Sequence, residues 1–214
     1  MIQLDRINRA EALRWLGGAH VVPDSRMNML LDEAEAALLR AARPKYLYKI
    51  TELPCEMLTH GTDMPKHLEG CKRAVILCAT LGAEVDRLIR ISQLTDMPRA
   101  VVLDALASAM IEQICTEIDA LLAQQLPRAY FTFRFSPGYG DYPLRLQRDF
   151  LRLLDAPRKI GLTTTDSLLL TPSKSITAAA GISDKPVPRG RRGCAVCNLR
   201  ETCAYRRKGS HCGF

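Results

Sequence analysis

Hydrophobic residues recur every three to four positions in several segments, a pattern that predicts amphipathic helices packed against a core. One such segment runs from Asp24 to about Ala42, and Asp24 is suited to cap its N-terminus. A longer one runs from about Asp96 to Leu126. Its predicted buried stripe consists of Leu103, Ala107, Met110, Ile114, Ile118 and Leu121. Shorter helices are predicted at Asn8–Leu16, Ala83–Gln93 and Leu144–Leu154.

Other segments have the patterns of β-strands. Lys45–Leu53 and Arg128–Phe135 alternate between polar and apolar or aromatic residues, as half-buried strands do. Ala74–Thr80 is continuously apolar, which predicts a central strand covered on both faces. Leu168–Ile182 predicts one or two strands broken near Pro172. Helices and strands follow no regular βαβ order, so we expect an α+β fold with a mixed or antiparallel twisted sheet and flanking helices.

Composition and charge divide the chain into two parts. The 214 residues are 47% hydrophobic, enough for a real core, and the net charge is +7. Residues 185–214 contain eight basic residues and one acid, whereas residues 1–184 contain 22 of each. We therefore predict a domain at 1–184 and a basic tail at 185–214. The tail could contact nucleic acid, a phosphate-bearing cofactor or an acidic partner, or be a solvated end.

No apolar run approaches the roughly 18 residues that a membrane span needs, and no secretory segment is present. These features predict a cytoplasmic protein without a membrane partner.

In a cytosolic chain, closely spaced cysteines indicate a metal site rather than disulfides. Four cysteines crowd into the tail, namely Cys194, Cys197, Cys203 and Cys212. Zinc and a [4Fe–4S] cluster both fit four such ligands. Cys78 and Cys115 are expected in the core.

The segment Arg134–Pro143, with the sequence RFSPGYGDYP, carries most of the candidate chemistry. It ends a predicted strand and turns at Pro137-Gly138, where backbone groups can approach a ligand closely. Arg134 can offer two parallel hydrogen bonds to a carboxylate. Taken alone, the segment also fits an ordinary turn that carries a surface arginine.

This segment resembles the Arg-x-x-Pro-Gly-Tyr-x-x-x-Pro signature of the activation domain of cobalamin-dependent methionine synthase. Residues 103–118, which include Glu112, are similar to the family helix that carries an acidic ligand residue. Leu170–Ser173 resembles the family's Leu-Thr-x-Ser segment, and the N-terminus is similar to the short stand-alone members. The resemblance covers about residues 1–184. Lys174 and the pair Gly140-Asp141 depart from the family pattern.

The resemblance implies a binding site for S-adenosylmethionine. Arg134 would pair with the methionyl carboxylate, and Glu112 would receive the α-ammonium group or lie near the sulfonium. The backbone of Ser136, Pro137 and Gly138 would bind the nucleoside, and Tyr139 would pack against it. No catalytic side chain is predicted, because methyl transfer from a sulfonium to cob(I)alamin requires positioning rather than acid–base chemistry.

The implied function is reductive reactivation, or remethylation, of cobalamin on a separate methionine synthase. The partner would carry the cobalamin, since the chain lacks an Asp-x-His-x-x-Gly corrinoid sequence. Reduction needs an electron, which favours a [4Fe–4S] cluster over zinc and suggests a flavodoxin-like donor. Two alternatives stay open: an activator of another corrinoid methyltransferase, and a zinc-knuckle nucleic-acid-binding module. The neutral domain and few tail aromatics make nucleic acid the weaker partner.

Overall fold

A computed structural model describes residues 2–17, 22–187 and 201–207 of this chain. The described helices are α1 (Arg9–Gly17), α2 (Ser25–Ala41), α3 (Asp63–His67), α4 (Ala83–Thr95), α5 (Met97–Gln125), α6 (Leu146–Leu154), α7 (Ala156–Ile160) and α8 (Ala204–Arg207). The strands are β1 (Lys45–Glu52), β2 (Arg73–Thr80), β3 (Tyr130–Phe131), β4 (Thr163–Thr164), β5 (Leu170–Thr171) and β6 (Ser175–Ser183). The α+β class and the antiparallel main sheet confirm the predicted fold class.

The main sheet has the order β1-β2-β6-β3, and every neighbouring pair is antiparallel. Strand β2 is central, as its continuous apolar sequence predicts, because both of its faces are covered. Alternate residues of β2 point to opposite faces. Val75 and Leu77 therefore join one core cluster, whereas Ile76 and Cys78 join the other.

Helices form a layer on each face of the sheet. On one face α1, α2 and α4 pack around the long helix α5, and the core there includes Leu103, Leu106 and Ile114. On the other face α6 covers β1, β2 and β6, and Phe150 and Tyr142 fill the space beneath it. Helix α5 thus lies directly over the sheet, beside the loop that follows β3.

The predicted helix boundaries agree with the structure to within a few residues. Asp24 accepts a hydrogen bond from the Met27 amide at 2.7 Å, which confirms its role as N-cap. Asp96 caps α5 in the same way, at 3.1 Å from the Arg99 amide. The predicted stripe of α5 is buried except at its last position, where Leu122 is buried and Leu121 only half-buried.

The predicted strand Arg128–Phe135 is wrong in its extent. Only Tyr130–Phe131 pair regularly with β6, and a single further bridge joins Phe135 to Ala179. The backbone between them leaves the sheet at Phe133, whose carbonyl oxygen lies 2.8 Å from Nε2 of His67. The regular pairing is interrupted where the Thr132 hydroxyl, rather than a backbone carbonyl, accepts the hydrogen bond of the Gly181 amide at 2.8 Å.

Within the described ranges, no helix combines the length and apolar character needed to cross a bilayer. Three of the four tail cysteines, Cys194, Cys197 and Cys212, lie outside the described residues. Cys203 is described and half-buried. The proposed metal site therefore rests on the spacing of its cysteines in the sequence.

Candidate functional site

The site is centred on Arg134, which faces helix α5. Its Nη2 lies 3.0 Å from Oε2 of Glu112, and its Nη1 is ion-paired with Asp119. Glu112 and Asp119 are seven residues apart, or two helical turns, and so project from the same side of α5. The helix therefore presents two carboxylates to one guanidinium.

The three charged groups differ in their exposure to solvent. The side chain of Arg134 is 18% exposed, whereas those of Glu112 and Asp119 are each 49% exposed. The cation is thus sheltered while both carboxylates remain open to solvent. A guanidinium has five N–H donors, and the described contacts of Arg134 with these carboxylates use two of them. Donors therefore remain on Arg134 for a further carboxylate.

The loop Ser136–Tyr139 leads away from Arg134 and is closed by its own hydrogen bonds. The Tyr139 amide donates to the Ser136 carbonyl at 3.0 Å, and the Gly138 amide donates to the Tyr142 carbonyl at 2.8 Å. Gly138 has a φ of +94°, which few residues with a side chain adopt. Pro137 is buried beneath the turn. In the described part of the chain, the Ser136 amide and the Gly138 carbonyl have no hydrogen-bond partner.

Helix α3 and its N-cap contact the chain on both sides of the Ser136–Tyr139 loop. At one end His67 binds the Phe133 carbonyl and lies 2.8 Å from the Thr132 hydroxyl. At the other end the carboxylate of Asp141 accepts hydrogen bonds from the start of α3, at Thr62 and Asp63. These contacts lower the pKa of Asp141, chiefly through the Asp63 amide and then through Thr62. The loop is thus attached to one short helix at two points.

Aromatic rings connect the surface of the site to the core. The ring of Tyr139 is 55% exposed and lies 5.9 Å from the ring of Phe135 in an edge-on contact. Phe135 in turn lies 5.0 Å from the ring of His67 and 6.2 Å from that of Tyr142. Tyr142 is 1% exposed and donates its hydroxyl hydrogen bond to the Met57 carbonyl at 2.7 Å. Tyr139 therefore offers an open aromatic face on a rigid support.

Two thiols predicted to lie in the core are buried, which confirms that prediction. Burial raises the pKa of Cys78 and of Cys115 to about 12, so both are neutral thiols at ordinary pH. Cys115 lies on α5 between the two carboxylates of the site, and Arg134 partly offsets the rise. Neither thiol is activated for chemistry.

Lys174, one of the departures from the family pattern, is engaged by α5. Its Nζ lies 2.8 Å from Oδ1 of Asp104 and 2.9 Å from the Ser108 hydroxyl, and its side chain is 14% exposed. Ser173 beside it binds the Asp86 carboxylate through its amide and hydroxyl. These contacts fix the start of β6 against α4 and α5.

Of the predicted site residues, Glu112 and Arg134 are in direct contact, and Ser136–Tyr139 follow Arg134 in one continuous loop. The sequence reasoning missed Asp119 and His67. The spacing of seven residues from Glu112 could have indicated Asp119. Nothing local to His67 indicates its contact with Phe133, which is 66 residues away. Within residues 2–17, 22–187 and 201–207, no group of three or more potential metal ligands is clustered.

Comparisons with known proteins identify the fold. No family model matches the sequence, and no curated protein matches it. A similar solved structure is the crystal structure of the MetH reactivation domain bound to AdoHcy. The two share 16% sequence identity with a TM-score of 0.60, over 96% of this chain and 82% of that chain. This chain therefore has an activation-domain-like fold, as the resemblance of its loop predicted.

Proposed function

We propose that this chain binds S-adenosylmethionine at the Arg134 site and supports the reductive remethylation of cobalamin on a separate methionine synthase. The observation that carries the proposal is the Arg134–Glu112 pair, whose charged groups lie 3.0 Å apart beside the Ser136–Tyr139 loop. The similarity to a reactivation domain bound to AdoHcy supports the same ligand class.

The amino-acid end of the ligand is a zwitterion, and the site offers one group for each of its charges. Arg134 would bind the carboxylate with the N–H donors that Glu112 and Asp119 leave available. Glu112, half-exposed beside it, would accept from the α-ammonium group or lie near the sulfonium. Because Arg134 is itself sheltered, its hydrogen bonds to a carboxylate are stronger than those of a fully solvated arginine.

The nucleoside end would lie on the loop that follows Arg134. The amide of Ser136 and the carbonyl of Gly138 can bind a polar edge, and buried Pro137 keeps the turn in place. The exposed ring of Tyr139 would pack against the ligand. In this arrangement the protein acts by holding the methyl donor in line with its acceptor and by excluding water.

Calorimetry with S-adenosylmethionine tests the proposal. The wild type should bind, and Arg134→Ala should weaken binding by at least about tenfold, since a charge-assisted pair is lost. Arg152→Ala is the control, because Arg152 is 81% exposed on the other helical layer. A wild type that does not bind, or an Arg134→Ala variant with unchanged affinity, would contradict the proposal.

The client and the tail need their own experiments. Retention of a cobalamin-loaded methionine synthase on the immobilised chain, but not of another corrinoid protein, would support the proposed client.

For the tail we propose a four-thiolate site formed by Cys194, Cys197, Cys203 and Cys212, which as [4Fe–4S] would supply an electron from a flavodoxin-like donor. Metal analysis and visible absorption distinguish iron from zinc. Cys203→Ser should lower the bound metal, whereas Cys55→Ser, which changes a half-buried cysteine of the domain, should not.

A further inference from the structure

Asp119 is a second carboxylate that contacts Arg134, and it lies outside the Arg134–Pro143 segment that resembles the family signature. Asp119 lies on α5 two turns beyond Glu112, and its Oδ2 pairs with Nη1 of Arg134. Glu112 takes the other terminal nitrogen, Nη2. Each end of the guanidinium is therefore held by a separate side chain of one helix.

We infer that Asp119 is a positioning residue, which together with Glu112 fixes the guanidinium of Arg134 in the orientation that receives the ligand's amino-acid end. The inference rests on the proposed binding of S-adenosylmethionine. A free arginine side chain has many rotamers, and a ligand that must immobilise it loses affinity in doing so. Two contacts on one rigid helix hold it before the ligand arrives.

The location of Arg134 explains why such support is needed. It lies in the irregular segment between the end of β3 and the Phe135–Ala179 bridge, where the backbone has left the regular sheet. Helix α5, in contrast, has buried residues along its whole length, from Ala100 to Leu122. Asp119 and Glu112 therefore connect an irregular segment to a long helix that packs against the core.

The test compares ligands with and without an amino-acid end. Calorimetry is run with S-adenosylhomocysteine and with 5′-methylthioadenosine, which has the same nucleoside but no amino-acid group. The ratio of their dissociation constants measures what the amino-acid end contributes to binding, through Arg134 and Glu112 together. In Asp119→Asn this ratio should fall about fivefold, with 5′-methylthioadenosine binding unchanged within about twofold. In Asp119→Glu the ratio should be at least half of the wild-type ratio, because a carboxylate at that half-exposed position can still reach the guanidinium.

Glu117→Gln is the matched control, since Glu117 is exposed on the same helix and makes no ion pair among the described residues. An unchanged ratio in Asp119→Asn would overturn the inference. So would tighter binding of S-adenosylhomocysteine, because Asp119 would then be a competitor for Arg134. If the wild type binds neither ligand, or does not prefer S-adenosylhomocysteine, the proposed function itself is wrong.

Discussion

The carboxylate of Asp141 accepts hydrogen bonds from both the amide and the hydroxyl of Thr62, each at 2.7 Å. Asp63 completes the arrangement by accepting from the Asp141 amide at 3.2 Å. Asp141 and the neighbouring Gly140 are the positions at which the loop departs from the family signature. In the structure, the hydrogen bonds of Asp141 attach the end of the candidate binding loop to the start of α3.

Replacing Asp141 with alanine should loosen the loop. Three hydrogen bonds to the start of α3 are lost, so we expect S-adenosylmethionine to bind about two- to fivefold more weakly. Calorimetry measures the change. Asp166→Ala is the control, since Asp166 is fully exposed and its ion-pair distance to Arg148 is 3.9 Å. Equal affinity in wild type and Asp141→Ala would mean that this attachment does not support the site.

The same carboxylate should contribute to the acid dependence of stability. Its pKa is lowered in the folded protein, so the folded state favours the ionised form. Its contribution is therefore complete above the unfolded pKa of about 4 and is lost as the pH falls through the folded pKa. Melting temperatures measured from pH 6 to pH 2 should fall less steeply for Asp141→Ala than for the wild type. Parallel curves would contradict this assignment.

A methyl group at Gly140 should be costly because it meets Asp63. Gly140 has a φ of +53°, and an added Cβ would lie 2.0 Å from Oδ2 of Asp63. Gly140→Ala should destabilise the protein by about 1 kcal/mol from backbone strain plus the cost of moving Asp63. Gly70→Ala separates the two effects, since Gly70 has a φ of +77° and no atom near its Cβ position. Denaturant unfolding should show a larger loss for Gly140→Ala, and equal losses would count against this contact.

Removing the imidazole of His67 should take away its 2.8 Å contact with the Phe133 carbonyl and leave the longer, 3.4 Å hydrogen bond from the Thr132 hydroxyl. We expect His67→Ala to lower the free energy of unfolding by about 1 kcal/mol, the net contribution of one hydrogen bond. The ring contacts of His67 with Phe133 and Phe135 are lost as well. Chemical denaturation measures the change. His60→Ala should have little effect, because no hydrogen bond of the described structure involves the His60 side chain, and a similar loss in both variants would refute the prediction.

The buried thiols should make the protein sensitive to alkali. Burial raises the pKa of Cys78 and Cys115 from 9.0 to about 12, so the folded state favours the protonated forms. Their contribution is complete below about pH 9 and is lost as the pH rises towards 12, at about 1.4 kcal/mol per pH unit for each thiol. Unfolding free energies under reducing conditions should therefore decline above pH 9. Cys78→Ala should decline less steeply than Cys55→Ala, and identical slopes would contradict the predicted contribution of Cys78.

The sequence by itself determined the elements and part of the site. Hydrophobic periodicity located α2 and α5, a continuous apolar run located β2, and the capping residue Asp24 marked where α2 begins, because these signals act over only a few residues. The signal of the Pro137-Gly138 turn beside Arg134 was equally local. Its likeness to a known signature predicted the activation-domain-like fold that the comparison then confirmed.

Only the tertiary structure decided the order of the strands and the surroundings of Arg134. The pairing of β2 with β6 joins segments about a hundred residues apart, and no local pattern specifies it. The early end of β3 coincides with the hydrogen bond from the Gly181 amide to the Thr132 hydroxyl, and the second carboxylate on Arg134 depends on how α5 lies over the sheet. Side chains that are distant in sequence come into contact with these backbone and charged groups only once the chain has folded. For this reason Asp119, His67 and Asp141 acquired their roles in the folded molecule.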